Sequence, residues 1–236
     1  MAQATDLTLL KPIPWFPGLS LPELLAADGC SQQDQPLLLA VNRGAGISAP
    51  LLAGLVCTLT AEENRRLGGF RHKADQDRFL LGRGLLRQML ALWMDQQPQH
   101  VAIALGPRGK PYCPGGPQFN VSHSGDLILL ALHRCRPLGV DVEQERPALN
   151  WQPIARRLLS SQQVDALLQQ PVAEQATAFL QAWCHLEAEL KAGGWGLAAP
   201  PVGGSACLMG HWRLCLGRGY VGALAAGQAS DPSLNG

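Results

Sequence analysis

The stretch FNVSHSGDLILLALHRCRPLGVDVE, residues 119–143, decides the fold of this chain. Its first part, residues 119–125, has the composition of a short strand that enters a tight loop. The apolar run of residues 127–132 predicts a second strand, and the alternating residues 138–143 predict a third. The sequence therefore predicts successive short strands in the middle of the chain.

Helices are predicted on both sides of these strands. Residues 77–94 carry apolar side chains at helical spacing, and residues 171–191 carry a second stripe of this kind. The members of the second stripe, which are expected to share one buried face, are Phe179, Trp183, Leu186 and Leu190. Thr60 and Glu63 have the spacing of a capping box at the start of a shorter helix. In the first 50 residues, a strand is predicted at 36–41 and a loop at 48–50.

The bulk composition indicates a folded protein. Apolar residues make up 47% of the 236 residues and charged residues only 16%, which argues against disorder. A net charge of +1 argues against nucleic-acid binding through a broad basic surface. Seven cysteines without a CxxC pair favour reduced thiols. Because there is neither a signal-peptide pattern nor a run of roughly 18 apolar residues, we expect a soluble cytoplasmic protein without a membrane partner.

Two acidic residues share one face of the third predicted strand. Asp141 and Glu143 are two residues apart, so both carboxylates project from the same side, while Val140 and Val142 take the other side. Two neighbouring acids repel each other unless a cation lies between them, and oxygen ligands of this kind suit Mg²⁺. A solvated strand edge is the alternative explanation of the pair.

A second acid lies on the helix predicted at residues 171–191. Glu187 and Lys191 are one helical turn apart, so their side chains can meet. Such a pair is commonly an exposed ion pair of little energetic consequence. The alternative is that Glu187 supplies a third carboxylate to the metal ion and Lys191 contacts a phosphate.

Candidate phosphate contacts occur in two turns. The turn of residues 122–125, Ser-His-Ser-Gly, offers hydroxyl and backbone donors, although serine and glycine also occur in turns without a function. Lys110 lies in a Gly-Lys-Pro turn, and Arg66 and Arg78 are basic residues further upstream. The sequence contains no GxSxG, HExxH or Walker motif, so it does not indicate a serine hydrolase, a zinc protease or a P-loop nucleotide fold.

Taken in order, four segments resemble the larger, surfactin-synthetase-activating type of 4'-phosphopantetheinyl transferase. They are Gly109–Pro111, Phe119–Ser124, Gly139–Glu143 and Trp183–Ala192. The resemblance runs from about residue 60 to residue 197, and it includes residues 70–83. Each motif is modest, but four in the correct order and spacing make the resemblance specific.

The resemblance implies an α+β fold, a pseudo-dimer of two similar halves that each pack a small antiparallel sheet with a long helix. Residues 1–137 would form the N-terminal half on the nucleotide side of coenzyme A, and residues 138–236 would form the half with the metal-binding acids. The implied reaction transfers the 4'-phosphopantetheine group of coenzyme A to a serine of an apo acyl or peptidyl carrier protein. It needs Mg²⁺ and releases adenosine 3',5'-bisphosphate, and the enzyme is expected to be a monomer.

The resemblance also implies roles for individual residues. The metal ligands would be Asp141, Glu143 and Glu187, and the catalytic residues would be Glu187 and Lys191. Glu187 or a metal-bound water would act as the base. The coenzyme A contacts would be Arg66, Arg78 and Lys110 around the 3'-phosphate, and Ser122, His123 and Lys191 at the other phosphates.

The chain departs from the family pattern at two places. Leu186 stands where many members have a lysine, and Gln162 or Gln163 stands where some relatives have a glutamate. We expect Leu186 to belong to the buried stripe of its helix. A non-catalytic relative that binds coenzyme A or a carrier protein is the alternative function, although the retained acids and Lys191 argue against it.

Overall fold

The structure, a computed structural model, describes residues 8–27, 35–45, 47–146, 148–195 and 208–228. Its strands are β1 (Thr8–Leu10), β2 (Ile13–Trp15), β3 (Leu37–Asn42), β4 (Ala104–Leu105), β5 (Pro111–Tyr112), β6 (Gln118–Ser124), β7 (Leu127–His133), β8 (Leu138–Gln144), β9 (Leu208–Leu214) and β10 (Tyr220–Gly227). Its helices are α1 (Leu21–Ala27), α2 (Ala49–Val56), α3 (Ala61–Gly69), α4 (Lys73–Met94), α5 (Gln152–Leu158), α6 (Ser161–Leu168) and α7 (Val172–Ala192).

Two sheets of the same topology form the centre of the molecule. In the first sheet β3 is followed along the chain by α4, β6 and β7, and β7 lies between β3 and β6. In the second sheet β8 is followed by α7, β9 and β10, and β10 lies between β8 and β9. The pairing within each of these units is antiparallel. The predicted α+β pseudo-dimer is therefore confirmed.

Two strands near the start of the chain extend the sheets. β2 pairs in parallel with β3, whereas β1 pairs in parallel with β9 of the second sheet. These pairings could not be predicted from the sequence, because each strand has only three residues. As a result, residues 8–10 lie with the second sheet although they precede the first one in the chain.

Alternating residues of the strands build a four-layer core. One face of the first sheet packs on α4, through buried side chains such as Leu39, Ile128 and Leu85. The other face packs on the second sheet, where Leu129 meets the cluster that contains Val140. The outer face of the second sheet packs on α7. Val140 and Val142 are thus buried as predicted, which leaves Gly139, Asp141 and Glu143 on the side of α7.

The buried face of α7 differs from the predicted stripe. Phe179 is buried as expected, but Trp183, Leu186 and Leu190 are only half-buried. The buried positions are instead Phe179, Leu180, Cys184, Ala188 and Ala192. The expectation that Leu186 is a core residue is therefore wrong. The reason is the close approach of β8 to the helix, because a Cβ on Gly139 would lie 1.9 Å from the carbonyl oxygen of Ala188, so small side chains are required there.

The other helix starts follow from local capping. The predicted capping box is present, since the Thr60 hydroxyl accepts from Glu63 N–H and the Glu63 carboxylate accepts from Thr60 N–H. The predicted loop at residues 48–50 was wrong beyond Ser48. Ser48 caps α2 by accepting from Leu51 N–H, and Pro50 fits the first turn because no N–H donor is needed there. Among the described residues, no helix has both the length and the apolar character that crossing a membrane requires.

Candidate active site

The edge between the two halves carries an ordered pair of acids. Asp141 and Glu143 project from the same side of β8, as predicted, and each accepts a hydrogen bond from a serine of β6. Ser122 Oγ donates to Asp141 Oδ1 at 2.9 Å, and Ser124 Oγ donates to Glu143 Oε2 at 2.9 Å. Because serines two residues apart face acids two residues apart, the strand period itself aligns the two halves at this edge.

Lys191 and Glu187 bring α7 to the same place. The ammonium of Lys191 lies 2.5 Å from Asp141 Oδ1 and 3.7 Å from Glu187 Oε2, and it donates to the carbonyl of Val140 at 3.4 Å. The close approach of α7 to Gly139 allows these contacts. Glu187 and Lys191 are half-buried and belong to one cluster with the buried Asp141, so they are not the exposed surface pair that the spacing alone would permit.

The cluster carries an excess of negative charge. Two buried carboxylate oxygens, Asp141 Oδ2 and Glu187 Oε1, have no hydrogen-bond partner. Burial, together with the charges of Asp141 and Glu143, raises the pKa of Glu187 above its ordinary value although Lys191 opposes the shift. A buried carboxylate oxygen without a partner raises the free energy of the folded state. A cation bound here would therefore stabilise the cluster.

The residues fit a hard divalent cation in part. Asp141 and Glu187 each have one carboxylate oxygen without a partner, and carboxylate oxygens are the ligands that Mg²⁺ requires. Glu143 is engaged by Ser124, and Arg146 lies 3.8 Å from the same carboxylate. Within the part of the chain that the structure describes, no three His, Cys, Asp or Glu side chains converge closely enough to hold a metal ion. The positive charge next to Asp141 in this structure is the ammonium of Lys191.

A basic pocket of about 510 Å³ lies between α4 and β6. Its charged lining consists of Arg66, Arg78, Arg83, His123 and Asp75. Its walls are apolar and partly aromatic, formed by Phe70, Phe79, Leu86, Leu105 and Phe119 among others. Since β6 alternates, His123 faces this pocket while Ser122 and Ser124 face the acids, so the pocket and the acid cluster adjoin along one strand.

Neighbouring groups orient the basic residues of the pocket. The Arg66 guanidinium lies 5.1 Å from the centre of the Phe79 ring. Arg78 donates to the carbonyl of Gly125 at 2.8 Å and pairs with Asp75. Partial desolvation and the positive charges of Arg78 and Lys191 lower the pKa of His123 below its ordinary value. An anion that enters the pocket therefore meets three arginines and the imidazole ring of His123.

The predicted site residues are not all in this pocket. Lys110 does not line it, because its ammonium donates to the carbonyls of Leu138 and Ala192 at 2.9 and 3.2 Å. Arg83 lines the pocket although the sequence did not single it out. Its position one turn after Phe79 on the helix carrying Arg78 was the available signal. Glu63 lies 3.4 Å from the Arg83 Nε, and burial lowers the pKa of Arg83.

Two family descriptions match adjoining parts of the chain. Residues 49–135 match "4'-phosphopantetheinyl transferase, N-terminal", and residues 137–206 match "4'-phosphopantetheinyl transferase superfamily". The two matches include the pocket in the first range and the acid cluster in the second.

Individual relatives carry the same description. The chain is 33% identical over 152 residues to the 4'-phosphopantetheinyl transferase HetI of Nostoc sp., covering 62% of this chain and 64% of the relative. A putative 4'-phosphopantetheinyl transferase of Synechocystis sp. is 34% identical over 63% of this chain and 62% of its own length. The chain thus spans less than two thirds of these two relatives. The 4'-phosphopantetheinyl transferase AcpT of Escherichia coli K12 is 33% identical over 60% of this chain and 71% of its own length.

Proposed function

Since the chain belongs to the 4'-phosphopantetheinyl transferase family, we propose that it transfers the 4'-phosphopantetheine group of coenzyme A to a serine of an apo acyl or peptidyl carrier protein. The observation that carries this proposal is the acid cluster of Asp141, Glu187 and Lys191 beside a basic, partly aromatic pocket. A diphosphate-linked nucleotide can extend from such a pocket to such a cluster.

The nucleotide end of coenzyme A would occupy the basic pocket. Arg66 and Arg78 would hold its 3'-phosphate, with Arg83 as a third positive charge. The Phe70 and Phe79 rings offer apolar surface for the adenine. Ser122 and His123 would then contact the phosphates on the way to the acid cluster. Residues 1–137 would thus provide the nucleotide side and residues 138–236 the acids, except for β1, which pairs with β9.

Mg²⁺ would be held by Asp141, Glu143 and Glu187, and when bound it would neutralise charge on the phosphate oxygens. The unpartnered oxygens Asp141 Oδ2 and Glu187 Oε1 support this assignment. Lys191 would turn from Asp141 to a phosphate oxygen when the substrate is bound.

The reaction would be an in-line displacement at the β-phosphorus of coenzyme A. The carrier serine oxygen forms the new P–O bond, and the bond to adenosine 3',5'-bisphosphate breaks. Glu187 would take the serine proton, because it is the carboxylate that α7 brings to the cluster beside Lys191. Lys191 would stabilise the negative charge that develops on the phosphate oxygens. We propose a monomer in the cytoplasm, a location that suits the free thiols of the five described cysteines.

A mass measurement tests the proposal. The chain is incubated with coenzyme A, Mg²⁺ and an apo carrier protein, and the carrier is then weighed. We expect the carrier to gain one phosphopantetheine group and the Lys191→Ala variant to transfer far more slowly. Tight coenzyme A binding without any gain in mass, across several acyl and peptidyl carriers, would instead identify a non-catalytic relative.

A further inference from the structure

The turn between β4 and β5 is fastened to the end of α7. This turn belongs to the N-terminal half and closes through the bonds Gly109 N–H to Gly106 carbonyl and Gly106 N–H to Lys110 carbonyl. The Lys110 ammonium reaches across to the other half, where it donates to the carbonyls of Leu138 and Ala192 at 2.9 and 3.2 Å. Lys110 therefore contacts the first residue of β8 and the last residue of α7 at once.

The end of α7 needs this contact. The last four carbonyls of a helix have no partner inside the helix. In α7, three of them accept backbone N–H groups that follow the helix, donated by Gly193, Gly194 and Trp195. The fourth carbonyl, that of Ala192, accepts from Lys110 instead. A cation at a helix C-terminus is also favoured by the helix dipole.

A second contact joins the same two segments. The guanidinium of Arg108 lies 4.8 Å from the centre of the Trp195 ring, a cation–π contact. Arg108 is exposed and comes from the turn, whereas Trp195 follows the end of α7. Two independent side chains of one short turn thus hold the helix end.

The two elements that Lys110 contacts, β8 and α7, also carry the acid cluster. Asp141 lies three residues after Leu138 on β8, and Lys191 immediately precedes Ala192 on α7. The ammonium of Lys191 meets Asp141 at 2.5 Å only while strand and helix keep their relative position. A shift at either end of the Lys110 contact would move one partner of this pair.

We infer that Lys110 is a positioning residue, which together with Arg108 and Trp195 sets the geometry of Lys191 against Asp141. This inference rests on the proposed transferase function and departs from the expectation that Lys110 binds the 3'-phosphate of coenzyme A. The half-buried position of Lys110 agrees with it, since desolvation lowers the pKa of its ammonium to about 8. A phosphate-binding lysine in an open pocket would be solvated in the ligand-free protein, so its pKa would not be lowered in this way.

Kinetics of three variants test the inference. We expect Lys110→Met to lower kcat about ten- to a hundredfold with little change in the KM for coenzyme A, because a small displacement of catalytic groups has effects of this size. Dephospho-coenzyme A should show the same loss. Arg108→Gln and Trp195→Leu should lower kcat by a smaller factor, and combining either with Lys110→Met should give less than the product of the two effects. Lys11→Met, at an exposed site outside the pocket and the acid cluster, is the matched control.

Hydrogen exchange provides a readout that is independent of activity. Lys110→Met should speed the exchange of the amides of Gly193, Gly194 and Trp195 by about tenfold, and Lys11→Met should not. A rise in KM for coenzyme A that is absent with dephospho-coenzyme A, at unchanged kcat, would overturn the inference in favour of phosphate binding. Unchanged exchange at the end of α7 in both Lys110→Met and Arg108→Gln would overturn it as well. If the wild-type chain transfers nothing, the transferase proposal fails, and the exchange result alone decides whether Lys110 fastens the helix.

Discussion

At the scale of single residues, two serines account for the orientation of the acids. Ser122 and Ser124 each donate to one carboxylate oxygen of the facing strand, which fixes the orientation of Asp141 and Glu143. The hydroxyls leave the second oxygen of Asp141 without a partner. Side-chain hydrogen bonds between the halves thus hold the two acids in place.

Arg66 gives a residue-scale prediction for the basic pocket. Arg66→Gln should raise the KM for coenzyme A about tenfold, the lower end for a charge-assisted contact, because the side chain is exposed. The KM for dephospho-coenzyme A should stay nearly unchanged. Arg65→Gln, the exposed neighbour outside the pocket lining, is the matched control. Equal changes in the KM for coenzyme A and for dephospho-coenzyme A would show that Arg66 does not contact the 3'-phosphate.

Leu186 gives a prediction that differs from the one its sequence suggested. Because Leu186 is half-buried and lies outside the core clusters, Leu186→Lys can rest its stem on the helix and place its ammonium in water. We expect a loss of unfolding free energy below about 1 kcal/mol and an unchanged rate of carrier priming. A thermal melt and a priming assay measure both quantities. A loss of about 3 kcal/mol or more in unfolding free energy would show that Leu186 is a core residue after all.

At the scale of elements, the contact between β8 and α7 positions the site. Gly139→Ala would place a Cβ 1.9 Å from the Ala188 carbonyl oxygen, a backbone atom that cannot move aside without moving the helix. We expect a loss of more than about 3 kcal/mol in unfolding free energy. Gly54→Ala in α2 is the control, since nothing lies within 4 Å of its new Cβ, and it should be neutral or slightly stabilising. Urea unfolding of both variants is the measurement, and similar stabilities would contradict the close approach.

Strong local patterns made most elements predictable. The alternation in β8 and the capping box of α3 depend on near neighbours, so the sequence determined the face of Asp141 and the start at Thr60. The buried face of α7 depends on how closely β8 approaches, which no periodicity within the helix reveals. The family resemblance implied Arg66 and Arg78 as contacts of the 3'-phosphate, and both line the pocket, whereas the contact of Lys110 with Ala192 joins residues 82 positions apart.

At the scale of the whole molecule, the ionisation of Lys110, which joins the two halves, makes the free energy of unfolding depend on pH. Desolvation lowers its pKa from 10.5 to about 8 in the folded protein. Between these two pH values the unfolded chain binds the proton that the folded chain has lost, so folding becomes more favourable as pH rises. Relative to Lys110→Met, the wild type should gain roughly 3 kcal/mol of unfolding free energy between pH 7 and 10.5. Urea unfolding of both proteins across this range checks the prediction, and a difference that does not change with pH would contradict it.

The two halves meet where the reaction is proposed to occur. The N-terminal half contributes the pocket and the serines of β6, and the C-terminal half contributes Asp141, Glu187 and Lys191. Neither half alone contains both the basic pocket and the acid cluster. The proposed site therefore lies at the junction of the two halves.

The most direct test is phosphopantetheine transfer by wild type and Asp141→Asn over a titration of Mg²⁺, followed by the mass of the carrier protein. The amide can still accept from Ser122, so the fold should persist and the melting temperature should stay within a few degrees. We predict Mg²⁺-dependent transfer by the wild type that is abolished by a chelator, and a loss of at least about a hundredfold in the variant. Transfer by Asp141→Asn at a rate near that of the wild type, with the same dependence on Mg²⁺, would contradict the account.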